Sequence, residues 1–188
     1  MAKSRRKARE AALQALYKIE IAKSPISTAV EEMREHSNLT AGLTDYAEHL
    51  IAGVRNNQAS LDSRLSQIIK EYDYDRVAVV DKNVLRIAAY ELLFEPAIPP
   101  AVTINEAIEI ARKFSTIESG KFVNGVLGKL LSESPKANWD AATAPPEALE
   151  DPVHDDEPIE VVEETIQADS EEAKKLAKMG GWKLREQP

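Results

Sequence analysis

The chain has 188 residues, a formal net charge of -8 and no cysteine. A chain of this length can bury one hydrophobic core, and the lack of cysteine excludes disulfides and zinc sites with thiolate ligands. No apolar run approaches the roughly 20 residues that a membrane-spanning helix needs, so we expect a cytoplasmic protein without a membrane partner.

The first 72 residues carry apolar residues at helical spacing in four stretches. They predict helices over residues 4–22, 25–36, 43–55 and 60–72. The polar sequence NNQAS separates the third helix from the fourth. Pro25 fits the first position of the second helix, since its fixed φ suits that position and it needs no amide hydrogen there.

The stretch VAVVDKNVLRIAAYELLFEP is apolar around most of a helical circumference, which is typical of a helix surrounded by other helices. We therefore expect it to be the central helix of the core. Two S/T-x-x-E capping boxes follow, at 103–106 and 115–118, and each predicts the start of a further helix. About seven helices and no strand predict an all-α fold, a compact bundle over residues 1–132.

The composition changes after residue 132. Residues 1–132 contain 18 basic and 17 acidic residues, whereas residues 133–188 contain 6 basic and 15 acidic residues and many prolines. Such a segment buries too little apolar surface to offset its ordering entropy, so we predict a second region, 133–188, that is a disordered acidic extension. This extension either competes with an anionic ligand for the basic residues 3–9 at the start of the chain or is a solvated extension without effect.

Signals for catalysis are missing from the sequence. There is no metal-ligand spacing of the HExxH type, no nucleotide-binding glycine loop and no evident nucleophile. The GVLG sequence at 125–128 matches the GxxG loop of KH domains, but it lies inside a helical pattern, where small residues for close packing explain it better. We expect no enzyme, no catalytic residues, no metal and no cofactor.

The basic cluster at the start of the chain holds five cations within nine residues. Cations are unfavourable at the positive end of a helix dipole, whereas a bound anion would be favourable there. The cluster is either a solvated terminus or a phosphate-binding site, which Gln14 and Tyr17 would extend along the helix. A mitochondrial presequence is a weaker alternative, because Glu10 and Glu20 lie in the same segment.

A second candidate patch is the sequence GKFVNG near the end of the bundle. Lys121, Phe122 and Asn124 offer a cation, a ring for stacking and an amide within one turn, which suits unstacked RNA bases. The alternative is that Phe122 is simply a core residue.

The sequences RRKAREAALQALY and VLRIAAYELLF, with AVTINEAIEIARKFSTIESGKFVNGVLGKL, resemble the NusB family of bacterial transcription antitermination factors over about residues 4–131. The resemblance implies an all-helical domain that binds boxA, a short single-stranded element of ribosomal RNA leader transcripts. It also implies joint binding with NusE, a small-subunit ribosomal protein, in a complex with other Nus factors and RNA polymerase.

The resemblance also assigns residues to these roles. For RNA it implies Arg5, Arg6, Lys7, Arg9, Gln14, Tyr17, Glu118, Lys121 and Phe122. For NusE it implies the start of the central helix, with Asp81, Lys82 and Arg86. Gly120 and Gly128 stand where other members often carry larger polar residues.

Two other interpretations remain open, and a third fails. The module also resembles the N-terminal region of certain ribosomal RNA cytosine methyltransferases, but the enzyme interpretation fails because this chain has no cysteine and only 56 residues after the bundle. A protein-binding scaffold without RNA affinity of its own is the main alternative function. A homodimer is possible in either case.

Overall fold

The computed structural model describes residues 3–70 and 73–140. Within these ranges it contains no strand, and the chain forms six α-helices and one short 3-10 helix, Tyr74–Arg76. The α-helices are α1 (Lys3–Ile21), α2 (Ile26–His36), α3 (Ala41–Ile68), α4 (Val79–Phe94), α5 (Pro100–Phe114) and α6 (Ile117–Ser132). The predicted all-α class is confirmed, but the predicted count of seven helices is wrong.

The count differs because the third and fourth predicted helices are one helix, α3, of 28 residues. The NNQAS stretch contains no Gly or Pro to end a helix. Its polar side chains bond within the helix: Asn57 Nδ2 donates to the Gly53 carbonyl oxygen at 2.8 Å, and Arg55 donates to Gln58. The buried stripe resumes at Leu61. The polar stretch is therefore an exposed turn of one long helix and not a loop between two helices.

The central position predicted for α4 is confirmed. It contacts α1, α3, α5 and α6, and every residue from 81 to 92 is buried. This run includes charged residues, because a helix enclosed on all sides buries its polar positions together with its apolar ones. Each buried charge then needs a partner on a neighbouring helix.

The two predicted capping boxes do not start α5 and α6 as expected. Helix α5 begins at Pro100, four residues before the start that a cap at Thr103 predicts, so Thr103 lies inside it. Helix α6 is capped by Thr116, whose Oγ1 accepts a hydrogen bond from the Ser119 amide at 3.0 Å. Pro at the first position fixed the start of α5, and the threonine hydroxyl satisfied the first turn of α6.

The chain continues to pack against the bundle after α6. Lys136 is buried, and its Nζ donates to the carbonyl oxygens of Glu91 at 2.8 Å and Ile98 at 2.7 Å. An ammonium group at the carboxyl end of α4 is favourable for the helix dipole and satisfies a carbonyl of the last turn.

Residues 141–188 lie outside the described residues. The predicted boundary between 1–132 and 133–188, and the predicted disorder of the extension, therefore stay predictions. Among the described helices, none is both long enough and apolar enough to cross a membrane.

Candidate nucleic-acid interface

The cations at the start of α1 separate in the structure, because successive residues of a helix point to different sides. Lys7 is exposed. Arg5 is partly exposed, with its Cζ atom 5.8 Å from the centre of the Tyr46 ring. Arg6 and Arg9 instead bond carboxylates of other helices. Of the four cations in this cluster whose side chains the structure describes, Arg6 and Arg9 are therefore bonded to carboxylates, and Arg5 and Lys7 remain accessible.

Arg9 lies in the interior of the bundle, with 2% of its surface exposed. Its Nε and Nη2 atoms donate to the two carboxylate oxygens of Glu91 at 2.7 and 3.2 Å. Burial opposes the charge of Arg9, but the neighbouring Glu91 carboxylate raises its pKa, so that it stays charged. Arg9 has no exposed surface to offer a phosphate, and its role in this fold is to neutralise a buried acid.

Arg6 is held at the surface by Glu106 of α5. Its Nε and Nη2 atoms donate to the two Glu106 oxygens at 2.6 and 3.0 Å, and this bonding raises the pKa of Arg6. The Arg6 side chain remains 37% exposed, whereas the Glu106 side chain is 9% exposed. The pair fixes the guanidinium in place and leaves part of it accessible.

An exposed stripe runs along α1 from Lys7 through Gln14 to Tyr17, all three of which are exposed. The spacing places them on one helical face over about 15 Å. Tyr17 is 41% exposed, which is unusual for a large ring. The structure therefore brings together the cation, amide and ring that the sequence placed on this helix.

The second patch lies on the first two turns of α6. Lys121 and Asn124 are exposed, and Phe122 packs partly against the core. The Lys121 Nζ donates to the Glu118 Oε1 at 3.0 Å, and both side chains are more than two thirds exposed. Phe122 therefore contacts the core, as the alternative interpretation predicts, and also keeps part of its ring accessible for stacking.

The predicted partner surface at the start of α4 is buried in this structure, since Asp81, Lys82 and Arg86 are each less than a tenth exposed. Asp81 accepts a hydrogen bond from the Ser119 hydroxyl at 2.9 Å. Lys82 donates to the Asp75 carbonyl oxygen at 3.1 Å. These side chains are buried because α4 is enclosed by its neighbours, and a contact between them and NusE stays a prediction.

Arg86 is the centre of an ion-pair network that joins three helices. It donates to both oxygens of Asp62 at 2.7 and 2.8 Å and to Glu20 at 2.7 Å. Tyr74 donates to the same Asp62 carboxylate at 2.6 Å. The pKa of Arg86 is raised: burial opposes its charge, and the two carboxylates more than compensate. These bonds hold α1, α3 and α4 together.

Sequence reasoning missed the two acids that bind Arg9 and Arg6, which are Glu91 and Glu106. One signal was available, since Glu91 stands in a helix that is apolar almost all round. A carboxylate in such a position needs a cation from a neighbouring helix. Which cation it takes follows only from the packing.

Residues 6–132 match the model of the NusB family. The chain belongs to the NusB family. A relative described as transcription antitermination protein NusB, from Desulfitobacterium hafniense, is 40% identical over 130 residues, which are 68% of this chain and 88% of the relative. A NusB of the same description from Geobacter sp. is 40% identical over 137 residues, 69% of this chain and 94% of the relative.

Solved NusB structures share this fold. The structure of T. maritima NusB matches with a TM-score of 0.67 at 39% identity and covers 73% of this chain and 97% of that chain. A structure of antitermination factors NusB and NusE in complex with dsRNA matches with a TM-score of 0.65 at 25% identity, over 71% of this chain and 99% of that chain. The family resemblance seen in the sequence is confirmed.

Proposed function

We propose that this chain binds boxA RNA of ribosomal RNA leader transcripts jointly with NusE. In this role it joins other Nus factors on RNA polymerase and suppresses premature termination. The NusB fold of the chain supports the proposal, as does the solved relative that was described with NusE and double-stranded RNA.

The observation that carries the RNA part of the proposal is the stripe of Lys7, Gln14 and Tyr17 on α1. Single-stranded RNA is bound by cations along its backbone and by rings on which bases stack. Lys121 and Asn124 on α6 supply the same kinds of group. Arg5 and Arg6 add positive charge, whereas Arg9 contributes only by holding α1 in place.

The buried residues Asp81, Lys82 and Arg86 act indirectly in this proposal. They fix the start of α4 against α1, α3 and α6, and so they keep the surfaces around them in position. The NusE contact itself is then made by exposed residues of these helices.

The test is a titration of fluorescent boxA-like RNA with the full chain, alone and with NusE, at several salt concentrations. A scrambled RNA is the sequence control. The variant Lys7→Gln/Lys121→Gln removes one exposed cation from each patch, and Arg34→Gln/Lys129→Gln, which removes two exposed cations elsewhere, is the matched control. We expect tighter binding of boxA-like RNA with NusE, and a log–log salt slope shallower by about 1.4 in the first variant only.

Three other results would contradict the proposal. Equal binding of both RNAs would reduce the N-terminal cations to a non-specific basic arm. No RNA binding even with NusE present would favour the protein-binding scaffold. A homodimer in size-exclusion chromatography that excludes RNA would show that the chain buries this face against a second copy.

A further inference from the structure

The last turn of α5 lies beside the start of α1. Lys113 Nζ is 2.7 Å from Glu10 Oε2 of α1, and its ammonium lies 5.1 Å from the centre of the Phe114 ring. An open cleft of about 310 Å³ separates the two helices there, lined by Arg6, Lys7, Glu10, Glu109 and Lys113. Three of these five residues are cations and two are acids, so the cleft has a small net positive charge, and Lys113 is the cation that α5 contributes to it.

The same turn of α5 also touches the start of α6, through Arg112 and Gly120. A Cβ atom added to Gly120 would lie 2.8 Å from Arg112 Cγ and 2.9 Å from its Nε. The Arg112 side chain therefore rests on the bare backbone of α6, one residue before Lys121. A side chain at position 120 would force Arg112 to move.

We propose that Arg112 and Lys113 bind RNA phosphates between the two patches, so that the α1 stripe and Lys121 form one continuous path for the RNA backbone. The proposal rests on the RNA binding proposed above and names two residues that the family resemblance did not assign. Gly120 is a positioning residue, because it lets Arg112 lie between α5 and α6.

Both cations remain accessible in their present ion pairs. Arg112 bonds Glu109 at 3.0 Å, and both side chains are about half exposed. An exposed pair of this kind contributes little to stability, so a phosphate can replace the Glu109 carboxylate. The Lys113 side chain is 59% exposed, whereas its partner Glu10 is only 14% exposed, so Lys113 can contact a phosphate while it keeps its bond to Glu10. The guanidinium fork of Arg112 also matches two phosphate oxygens at once.

The first experiment measures the affinity of Arg112→Gln/Lys113→Gln for fluorescent boxA-like RNA with NusE, as a function of salt. The matched control is again Arg34→Gln/Lys129→Gln, which changes net charge equally. Arg34 is also an exposed arginine bonded to a glutamate, Glu48, and Lys129 lies about 12 Å along α6 from Lys121. Thermal melting of each variant shows that the fold is intact.

We expect the α5 variant to lose two phosphate contacts. Its log–log salt slope should be shallower by about 1.4, which corresponds to roughly 25-fold weaker binding at 0.1 M salt if affinities converge at 1 M. A variant that binds like the control, while the wild-type chain binds boxA-like RNA, overturns the role of α5 alone. Failure of the wild-type chain to bind RNA overturns the proposed function itself.

A second experiment leaves the charge unchanged. Gly120→Ala displaces Arg112, whereas Gly128→Ala, on the same helix, adds its methyl group to open space. We expect weaker RNA binding and a shallower slope for Gly120→Ala and wild-type behaviour for Gly128→Ala. Equal RNA binding by the two variants would show that Gly120 does not position Arg112 for RNA binding.

Discussion

Arg9 of α1 and Glu91 of α4 form a bidentate ion pair inside the helical bundle, where Arg9 is 2% exposed and Glu91 is fully buried. Glu91 also accepts hydrogen bonds from Tyr46 at 2.5 Å and from Thr103 at 2.8 Å. Burial and the nearby carboxylate raise the pKa of Tyr46, so its hydroxyl stays protonated and donates. This one carboxylate therefore connects α1, α3, α4 and α5.

Removal of the cation from this pair should destabilise the fold strongly. Arg9→Met leaves the Glu91 charge buried without a positive partner, which costs about 3–5 kcal/mol. Urea unfolding measures the loss. Arg34→Met, which breaks an exposed pair with Glu48, should cost less than about 1 kcal/mol. A similar loss of unfolding free energy in both variants would show that the buried pair contributes no more to stability than the exposed pair.

Gly53 of α3 is required by the Tyr90 ring of α4. A Cβ atom at position 53 would lie 2.1 Å from Tyr90 Cζ, so Gly53→Ala must displace the ring. We expect a loss of about 1–3 kcal/mol in the free energy of unfolding. Gly125→Ala is the control: it lies in the interior of α6 with nothing near its added methyl group, and it should stabilise by about 1 kcal/mol. Stabilisation by both substitutions would contradict the ring contact.

Asp62 should make the stability of the protein depend on pH in the acid range. Burial favours the neutral acid, but hydrogen bonds from Arg86 and Tyr74 outweigh this and lower the pKa of Asp62. The stabilisation is therefore present above the unfolded pKa of about 3.9 and is lost as the pH falls through the lower pKa of the folded state. The stability difference between wild type and Asp62→Asn should shrink from pH 5 towards pH 2 in urea titrations. A constant difference would mean that the carboxylate charge contributes nothing.

Lys136 should make stability depend on pH in the alkaline range as well. Burial lowers its pKa to about 8, although Glu91 and Glu95 oppose the shift. Between about pH 8 and the unfolded pKa of about 10.4, the unfolded chain binds more protons, so stability rises with pH. The difference between wild type and Lys136→Met should grow in favour of the wild type from pH 7.5 to 9.5. A difference that stays flat would show that Lys136 keeps an ordinary pKa.

Local patterns in the sequence were sufficient for the helical class and for the central position of α4. The spacing of apolar residues shows which face of a helix is apolar. The residues of α4 alone show that this helix is apolar almost all round. The family resemblance was also recognisable from the sequence, because it rests on stretches of residues in α1 and in α4 to α6. Helical spacing did not predict that α3 continues through residues 56–60, since an exposed turn of a long helix and a loop have similar composition.

The accessibility of each charge was decided only by the tertiary structure. Arg5, Arg6, Lys7 and Arg9 belong to one basic cluster in the sequence, yet Lys7 is exposed and Arg9 is buried against Glu91 of α4. Likewise, Asp81, Lys82 and Arg86 have the composition of a surface but lie in the core. Composition determines which charges the chain carries. Whether a given charge meets solvent or a buried partner depends on helices that are distant in sequence, because the cost of desolvation is offset only where such a partner packs against it.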